Sequence, residues 1–321
     1  MNSSSVLVTG GGGYLGTQLV AALAAGRGGA KRVIAADVRE VPAEKRLPGV
    51  EYVVADVRAP ELAALFERCK PEVVVHLASI VTPGKKSNRE FEYSVDVLGT
   101  ENVLRACLAC GTRKIIVSSS GAAYGYHADN PAWISEDWPI RGNEVFAYSW
   151  HKRLVEEMLA RWRSEHPALQ QVVLRIGTIL GETVRNQITD LFEQPRPIAI
   201  AGSASPFVFI WDQDVVGCIL HAIATDAVGA FNVAGDGALT IHEIAARLGK
   251  RCRVLPAWLL QAALAVLKPL GLTQYGPEQV DFLRYRPVLS NAKLKTEFGY
   301  VPRKTSSEVF DFWRQARAAR K

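Results

Sequence analysis

The chain has 321 residues, 48% of them hydrophobic and 22% charged, with a formal net charge of +6. That is ordinary for a folded globular protein, long enough for one large α/β unit or a main domain with a smaller lobe. The basic clusters, Lys85-Lys86 and the terminal Arg314, Arg317, Arg320 and Lys321, lack the aromatic interleaving of a nucleic-acid surface, and the terminal run reads as a frayed, solvated end.

The first predicted strand, 5–9, runs into Thr9-Gly10-Gly11-Gly12-Gly13-Tyr14-Leu15-Gly16 and then an amphipathic helix over 14–26. Gly10, Gly13 and Gly16 follow a G-x-x-G-x-x-G spacing. One glycine permits the tight turn, one the approach of a pyrophosphate, and one close packing of helix on sheet. The helix start points free N–H groups at the phosphates, so Gly10, Gly13, Tyr14, Leu15 and Gly16 form a predicted dinucleotide site. The second strand, 32–37, ends on Asp37, where a carboxylate accepts hydrogen bonds from a ribose 2′-OH and repels a 2′-phosphate. NAD is therefore expected over NADP, a preference tempered by Arg39 and Arg58. After the strand at 50–55, Asp56 and Val57 either reach the adenine or cap the helix at 60–69. The strand at 72–77 brings Leu77 and the small Ala78 beside the cofactor path; His76 is open to a structural or a chemical role.

A helix over 92–110 carries Cys107 and Cys110. With Cys69, Cys218 and Cys252 they make five scattered cysteines without a second pair at zinc spacing, so they read as reduced, buried thiols and no metal is expected. The strand at 113–119 leads into Ser118-Ser119-Ser120, and a long helix over 145–165 carries Tyr148-x-x-x-Lys152. Residues four apart share a helix face, so Lys152 can stand beside the Tyr148 phenol and favour its phenolate while reaching a bound ribose. Ser120 would hold the substrate oxygen for proton exchange with Tyr148.

A further strand is expected at 171–176, then a stretch broken by Pro195, Pro197, Gly202 and Pro206, and a short strand at 207–210. Asp212 and Asp214 are expected to cap a helix to 224. Phe231 to Ala234 reads as a strand, and 240–300 as mostly helical. The apolar run 257–267, interrupted by Gln261 between Pro256 and Pro269, is too short to span a bilayer. The chain enters a strand by Val6 with no evident leader, and a cytoplasmic location is expected. The division expected is a dinucleotide-binding core with the catalytic residues over 1–175 and a mainly substrate-binding lobe over 176–321, with 207–234 returning to the core.

In this order, the glycine cradle, Asp37, Asp56-Val57, His76-Leu77-Ala78, Ser118 to Ser120, Tyr124-Gly125, Tyr148-x-x-x-Lys152, Phe209-Ile210-x-Asp212-x-Asp214, Phe231-Asn232-Val233 and Leu294 to Pro302 resemble an extended short-chain dehydrogenase/reductase of the NAD-dependent epimerase/dehydratase group, over nearly the whole length. The resemblance implies a Rossmann-type doubly wound parallel sheet with a smaller C-terminal substrate-binding lobe, a homodimer, bound NAD and a small-molecule substrate. It implies Tyr148 as acid/base, Lys152 on the nicotinamide ribose and Ser120 on the reacting oxygen. Tyr124, Asn186, Trp211, Arg284 and Arg286 are the candidate substrate contacts. Two segments depart from the family pattern: Asp96 stands where an Asn is usual, and Ile176 to Gly181 replaces an Asn-x-Tyr-Gly-Pro segment. With the apolar 257–267 run, the second departure favours hydride transfer between NAD and a less polar alcohol or ketone. The alternatives are a nucleotide-sugar epimerase or dehydratase with tightly bound NAD, and a non-catalytic NAD-binding sensor or scaffold.

Overall fold

Short runs of Val and Ile flanked by glycine turns pair side by side because each is apolar on both faces and needs cover on both. A computed structural model describes residues 5–81, 88–273 and 276–320; Lys85-Lys86 lies outside them. In chain order the strands are β1 (Ser5–Thr9), β2 (Arg32–Asp37), β3 (Val50–Val54), β4 (Val73–His76), β5 (Lys114–Ser120), β6 (Gln170–Ile176), β7 (Thr178–Leu180), β8 (Ile198–Ile200), β9 (Phe209–Trp211), β10 (Gly229–Val233) and β11 (Arg253–Leu255). Seven form one sheet in the order β10-β6-β5-β4-β1-β2-β3, every pairing parallel. The order reverses between β1 and β4, and the crevice beyond their C-terminal ends is where a doubly wound fold binds its ligand.

The helices are α1 (Tyr14–Ala24), α2 (Leu62–Cys69), α3 (Arg89–Tyr93), α4 (Gly99–Cys110), α5 (Ala147–Glu165), α6 (Gln187–Glu193), α7 (Asp212–Ala224), α8 (Ile241–Arg247), α9 (Ala257–Leu267), α10 (Gln279–Arg284), α11 (Ala292–Thr296) and α12 (Ser306–Ala318), and those of the first half, with α7, cover the two faces of the sheet. On one face Leu19 and Leu23 of α1 meet Val216 and Ile219 of α7 above Val6 and Val8. On the other, Phe66, Leu104 and Leu159 cover Leu7, Ile34 and Val74. Each such side chain contributes roughly 1.5–3 kcal/mol by leaving water. The five cysteines are free; three are buried.

The lobe holds two small sheets, β7 with β9 and β8 with β11, around Phe192, Phe207, Phe209, Phe310 and Trp313. Three expectations need correction. The 92–110 helix breaks into α3, a π-helical turn over Ser94–Leu98 and α4, which places Asp96 inside the irregular turn. The C-terminal stretch is no frayed end: Thr305 and Glu308 form a capping box, α12 buries Val309, Phe310 and Trp313, and Arg317 and Arg320 pair with Glu193 and Glu182. Asp212 and Asp214 lie in the first turn of α7 rather than at its cap; Asp212 accepts from the Tyr14 hydroxyl (2.6 Å) and Asp214 from Tyr300 and Arg303.

Candidate active site

The glycine cradle is shaped by what a side chain would strike. Gly10 has φ +70°, and a Cβ there would stand 2.8 Å from Ala78 N and 2.9 Å from Leu77 C. A Cβ on Gly16 would strike Gly10 O and lie 2.8 Å from Gly11 Cα. The start of α1 is therefore pressed onto the ends of β1 and β4, as dinucleotide binding requires. The Gly12 and Arg39 amides, each at 3.0 Å, donate to the two carboxylate oxygens of Asp37 and fix it at the end of β2. Of the arginines that temper the NAD preference, Arg58 is engaged: it pairs with Asp56 at 2.6 Å and stacks over Phe91. Those Arg58 hydrogen bonds outweigh burial and lower the Asp56 pKa. Asp56 does not cap α2, whose first turn follows Glu61. Val57 is buried against Gly99.

Beyond the cradle lies a cavity of about 450 Å³ between the sheet and the lobe, lined by Gly10, Gly13, Tyr14, Leu15, Gly16, Leu77, Ser118, Ser120, Tyr148 and Lys152 among others. The strand end and the first turn of α5 thus bring the three predicted catalytic residues to one wall. Burial pushes the Tyr148 phenol up to about 12, opposed by a hydrogen bond with Ser120. Lys152 Nζ donates to Ser118 O at 2.9 Å and stands 5.6 Å from the Tyr148 ring centre. Burial lowers the Lys152 pKa against the pull of Asp96 and Glu156.

Behind this wall sits a buried carboxylate. Asp96 Oδ1 accepts from Ile80 N at 2.9 Å, and Oδ2 lies 3.4 Å from His151 Nδ1. Burial pushes the Asp96 carboxyl up, but His151, the Lys152 charge and the Ile80 amide outweigh it and hold it below its ordinary value. The position that departs from the family pattern therefore carries its own partner, His151, next in sequence to Lys152. His76 proves structural: its ring nitrogens bond Thr9 at 2.7 Å and Thr100 at 3.0 Å, and burial drives its pKa down to about 4.

The five candidate substrate contacts part company. Arg286 lines the cavity with Nε and Nη2 buried and without a hydrogen-bond partner among the described residues. Its guanidinium lies 4.0 Å from the Phe282 ring centre and 4.2 Å from that of Phe207. Burial lowers its pKa to about 10, with Tyr126 opposing. Asn186 also lines the cavity, but its side-chain oxygen is spent on the Ile188 and Thr189 amides as the cap of α6. The other three stand apart. Tyr124 is fully buried, its hydroxyl held by Asn232 at 2.9 Å and Arg175 at 2.7 Å. Trp211 packs under Arg303, Lys304 and Phe312 in the lobe core. Arg284 lies over Tyr285, outside the cavity lining. Sequence reasoning missed Tyr126, Arg185 and Phe282, all in the lining. Tyr126 had a local signal in its position two residues after Tyr124, whereas Arg185 and Phe282 had none.

Residues 6–234 match the model of the NAD dependent epimerase/dehydratase family. An uncharacterised protein of Mycobacterium tuberculosis strain H37Rv is 25% identical over 309 residues, 95% of this chain and 82% of that one. The 3beta-hydroxysteroid-dehydrogenase/decarboxylase isoform 2 of Arabidopsis thaliana is 26% identical over 79% of this chain and 49% of its own. The fold is shared with the Bordetella bronchiseptica enzyme WbmG in complex with NAD and UDP, at a TM-score of 0.74 and 18% identity over 99% of this chain and 95% of that one. Among the described residues no helix is long and apolar enough to cross a membrane. With its cradle, acidic strand end and family match in agreement, the chain belongs to the NAD-dependent epimerase/dehydratase family and is an NAD-dependent enzyme of the extended short-chain dehydrogenase/reductase type.

Proposed function

We propose that the protein transfers hydride at a carbinol or carbonyl carbon of a substrate that carries a phosphate or diphosphate, a nucleotide sugar being the class that fits best. The observation that carries this reading is Arg286, a cation in the lining of the cavity that the cofactor cradle also lines, with buried donors that have no hydrogen-bond partner among the described residues. Leaving such donors unpaired costs free energy that a bound anion returns as charge-assisted hydrogen bonds. The cradle and Asp37 would hold NAD, which would supply the hydride acceptor. Tyr148, a neutral phenol at its raised pKa, gives its proton to the substrate oxygen when the carbonyl is reduced; in the oxidising direction it must first lose that proton before it takes the one from the substrate hydroxyl. Ser120 holds that oxygen in line, and Lys152, fixed by Ser118 O, keeps a positive charge beside the phenol.

The preference for a less polar alcohol thereby gives way. Of its two supports, the 257–267 run contributes no residue to the cavity, while the Ile176 to Gly181 segment does line it through Ile176, Gly177, Thr178 and Ile179. One observation still favours it: Ile179, Val184, Phe207 and Phe282 make much of the wall apolar. Thermal shift and NADH fluorescence separate the readings. UDP- and dTDP-sugars should give saturable stabilisation that Arg286→Met abolishes, with no net NADH if the reaction is an internal epimerisation. Stabilisation by hydrophobic alcohols alone, with NADH accumulating, would return the assignment to a dehydrogenase.

A further inference from the structure

Helix α9 has eleven residues, Gln261 is its single polar side chain, and none of the eleven is buried. Trp258 is 68% exposed and Val266 61%; just beyond the helix, Leu270 and Leu272 are 64% and 71% exposed. At helical spacing Leu259, Ala263 and Val266 follow one another along a single face of α9, Trp258 and Leu267 flank that face on its two sides, and exposed Leu270 follows just beyond the helix end. A contiguous apolar face left to water marks a surface that something covers. The helix, at about 1.5 Å per residue, is far too short to cross a bilayer.

The charges around this face say what covers it. From residue 244 to 277 the sequence has no acidic residue. Arg251 and Arg253 are exposed at the N-terminal end of α9. The β8–β11 pairing, where Arg253 N donates to Pro197 O, brings exposed Arg196 alongside them. None of the three makes an ion pair among the described residues. At the other end Lys268, half-exposed, pairs with Glu278. A second copy laid parallel against this helix would set cations against cations, and one laid antiparallel would offer Arg251 and Arg253 only a carboxylate that Lys268 already holds. An anionic lipid surface accepts both features, the apolar face entering the headgroup boundary and the basic residues meeting the anionic headgroups.

We propose that α9, with Leu270 and Leu272, docks the protein on an anionic lipid bilayer, lying in the plane of the headgroups with Trp258 as its interfacial anchor. Because α10 packs against α9 and carries Phe282 into the cavity wall, docking holds that side of the cavity close to the membrane. The inference rests on the surface alone and stands whichever substrate the cavity takes.

Vesicle flotation of the full chain tests it, with phosphatidylcholine vesicles and with vesicles containing phosphatidylglycerol. The protein should float with the anionic vesicles, and the double variant Trp258→Glu/Val266→Glu should reduce the floated fraction by roughly tenfold or more. High salt and Arg251→Gln/Arg253→Gln should each weaken flotation, with NAD affinity unchanged in both variants as the check on folding. Equal flotation with neutral vesicles, none with either, or flotation indifferent to the double variant would overturn the proposal. So would light scattering that shows a dimer broken by Trp258→Glu/Val266→Glu in a protein that does not float.

Discussion

The cofactor end and the substrate end of the cavity are built by opposite means. At the cofactor end, two residue types do the work: glycines where a Cβ would strike Gly10 O or Ala78 N, and a carboxylate fixed by two backbone amides. The substrate end is assembled from side chains far apart in the chain, Arg185 after β7, Phe207 before β9, and Phe282 and Arg286 around α10. A site built on backbone geometry tolerates little change and binds one ligand class; a site built on side chains from separate loops can change its substrate while the cradle stays the same.

The sharpest way to break this comparison is at the junction of the two ends. Tyr148→Phe keeps the ring that packs in the cavity and removes the transferable proton. Turnover should fall by about 10²–10⁴-fold while NAD affinity, measured by calorimetry, stays within about twofold. Full activity in this variant would remove Tyr148 from the chemistry.

His76, behind the cofactor end, should make the fold acid-sensitive. Its folded pKa of about 4 lies below the ordinary 6.5 because burial disfavours the cation. The unfolded chain therefore binds the extra proton first as pH falls. The stability tied to neutral His76 is complete above about pH 6.5 and is lost on the way down to about pH 4, a total of roughly 3 kcal/mol. Urea midpoints across that range should fall in the wild type and fall less in His76→Gln. Parallel slopes would assign the acid loss to other groups.

At the substrate end Arg286→Met should raise KM for a phosphate-bearing substrate by roughly 10–100-fold, the worth of one or two charge-assisted hydrogen bonds. NAD affinity should not move, since the cradle and Asp37 are held by backbone contacts in which Arg286 takes no part. An equal loss in both would mean that the two ends are not separable.

The same contrast explains what the sequence made legible. The seven-strand sheet was readable because its parallel strands are short local apolar runs, most of them rich in Val or Ile, and the site wall of Ser120, Tyr148 and Lys152 because one helix face sets the last two. Tyr124 and Trp211 misled because type and position do not reveal burial: Arg175, from β6, claims the Tyr124 hydroxyl, and Arg303, beyond α11, covers Trp211. The closing helix α12 was hidden by its four basic neighbours, although Thr305 and Glu308 at capping-box spacing announce it. Asp96 was visible as a departure, but its partner His151 becomes apparent only when the π-helical turn meets α5.

The smallest expected effect tests how rigid the cofactor end is. In Asp37→Ala the Gly12 and Arg39 amides lose their acceptor together with any ribose contact, so NAD should bind roughly tenfold more weakly, the worth of about one hydrogen bond to a charged group. The loss for NADP should be smaller, because the carboxylate that repels a 2′-phosphate disappears in the same step. Arg39 then decides how far the ratio moves: its Nε lies 3.9 Å from Asp37 Oδ1 and its side chain is 79% exposed, so once released it is free to meet that phosphate, whereas Arg58 remains held by Asp56. The double variant Asp37→Ala/Arg39→Ala should therefore give back most of the gain for NADP. Calorimetric titration of both cofactors into the three proteins reads the ratio directly, and an NAD-to-NADP ratio unchanged by either substitution would mean that the end of β2 does not select the cofactor.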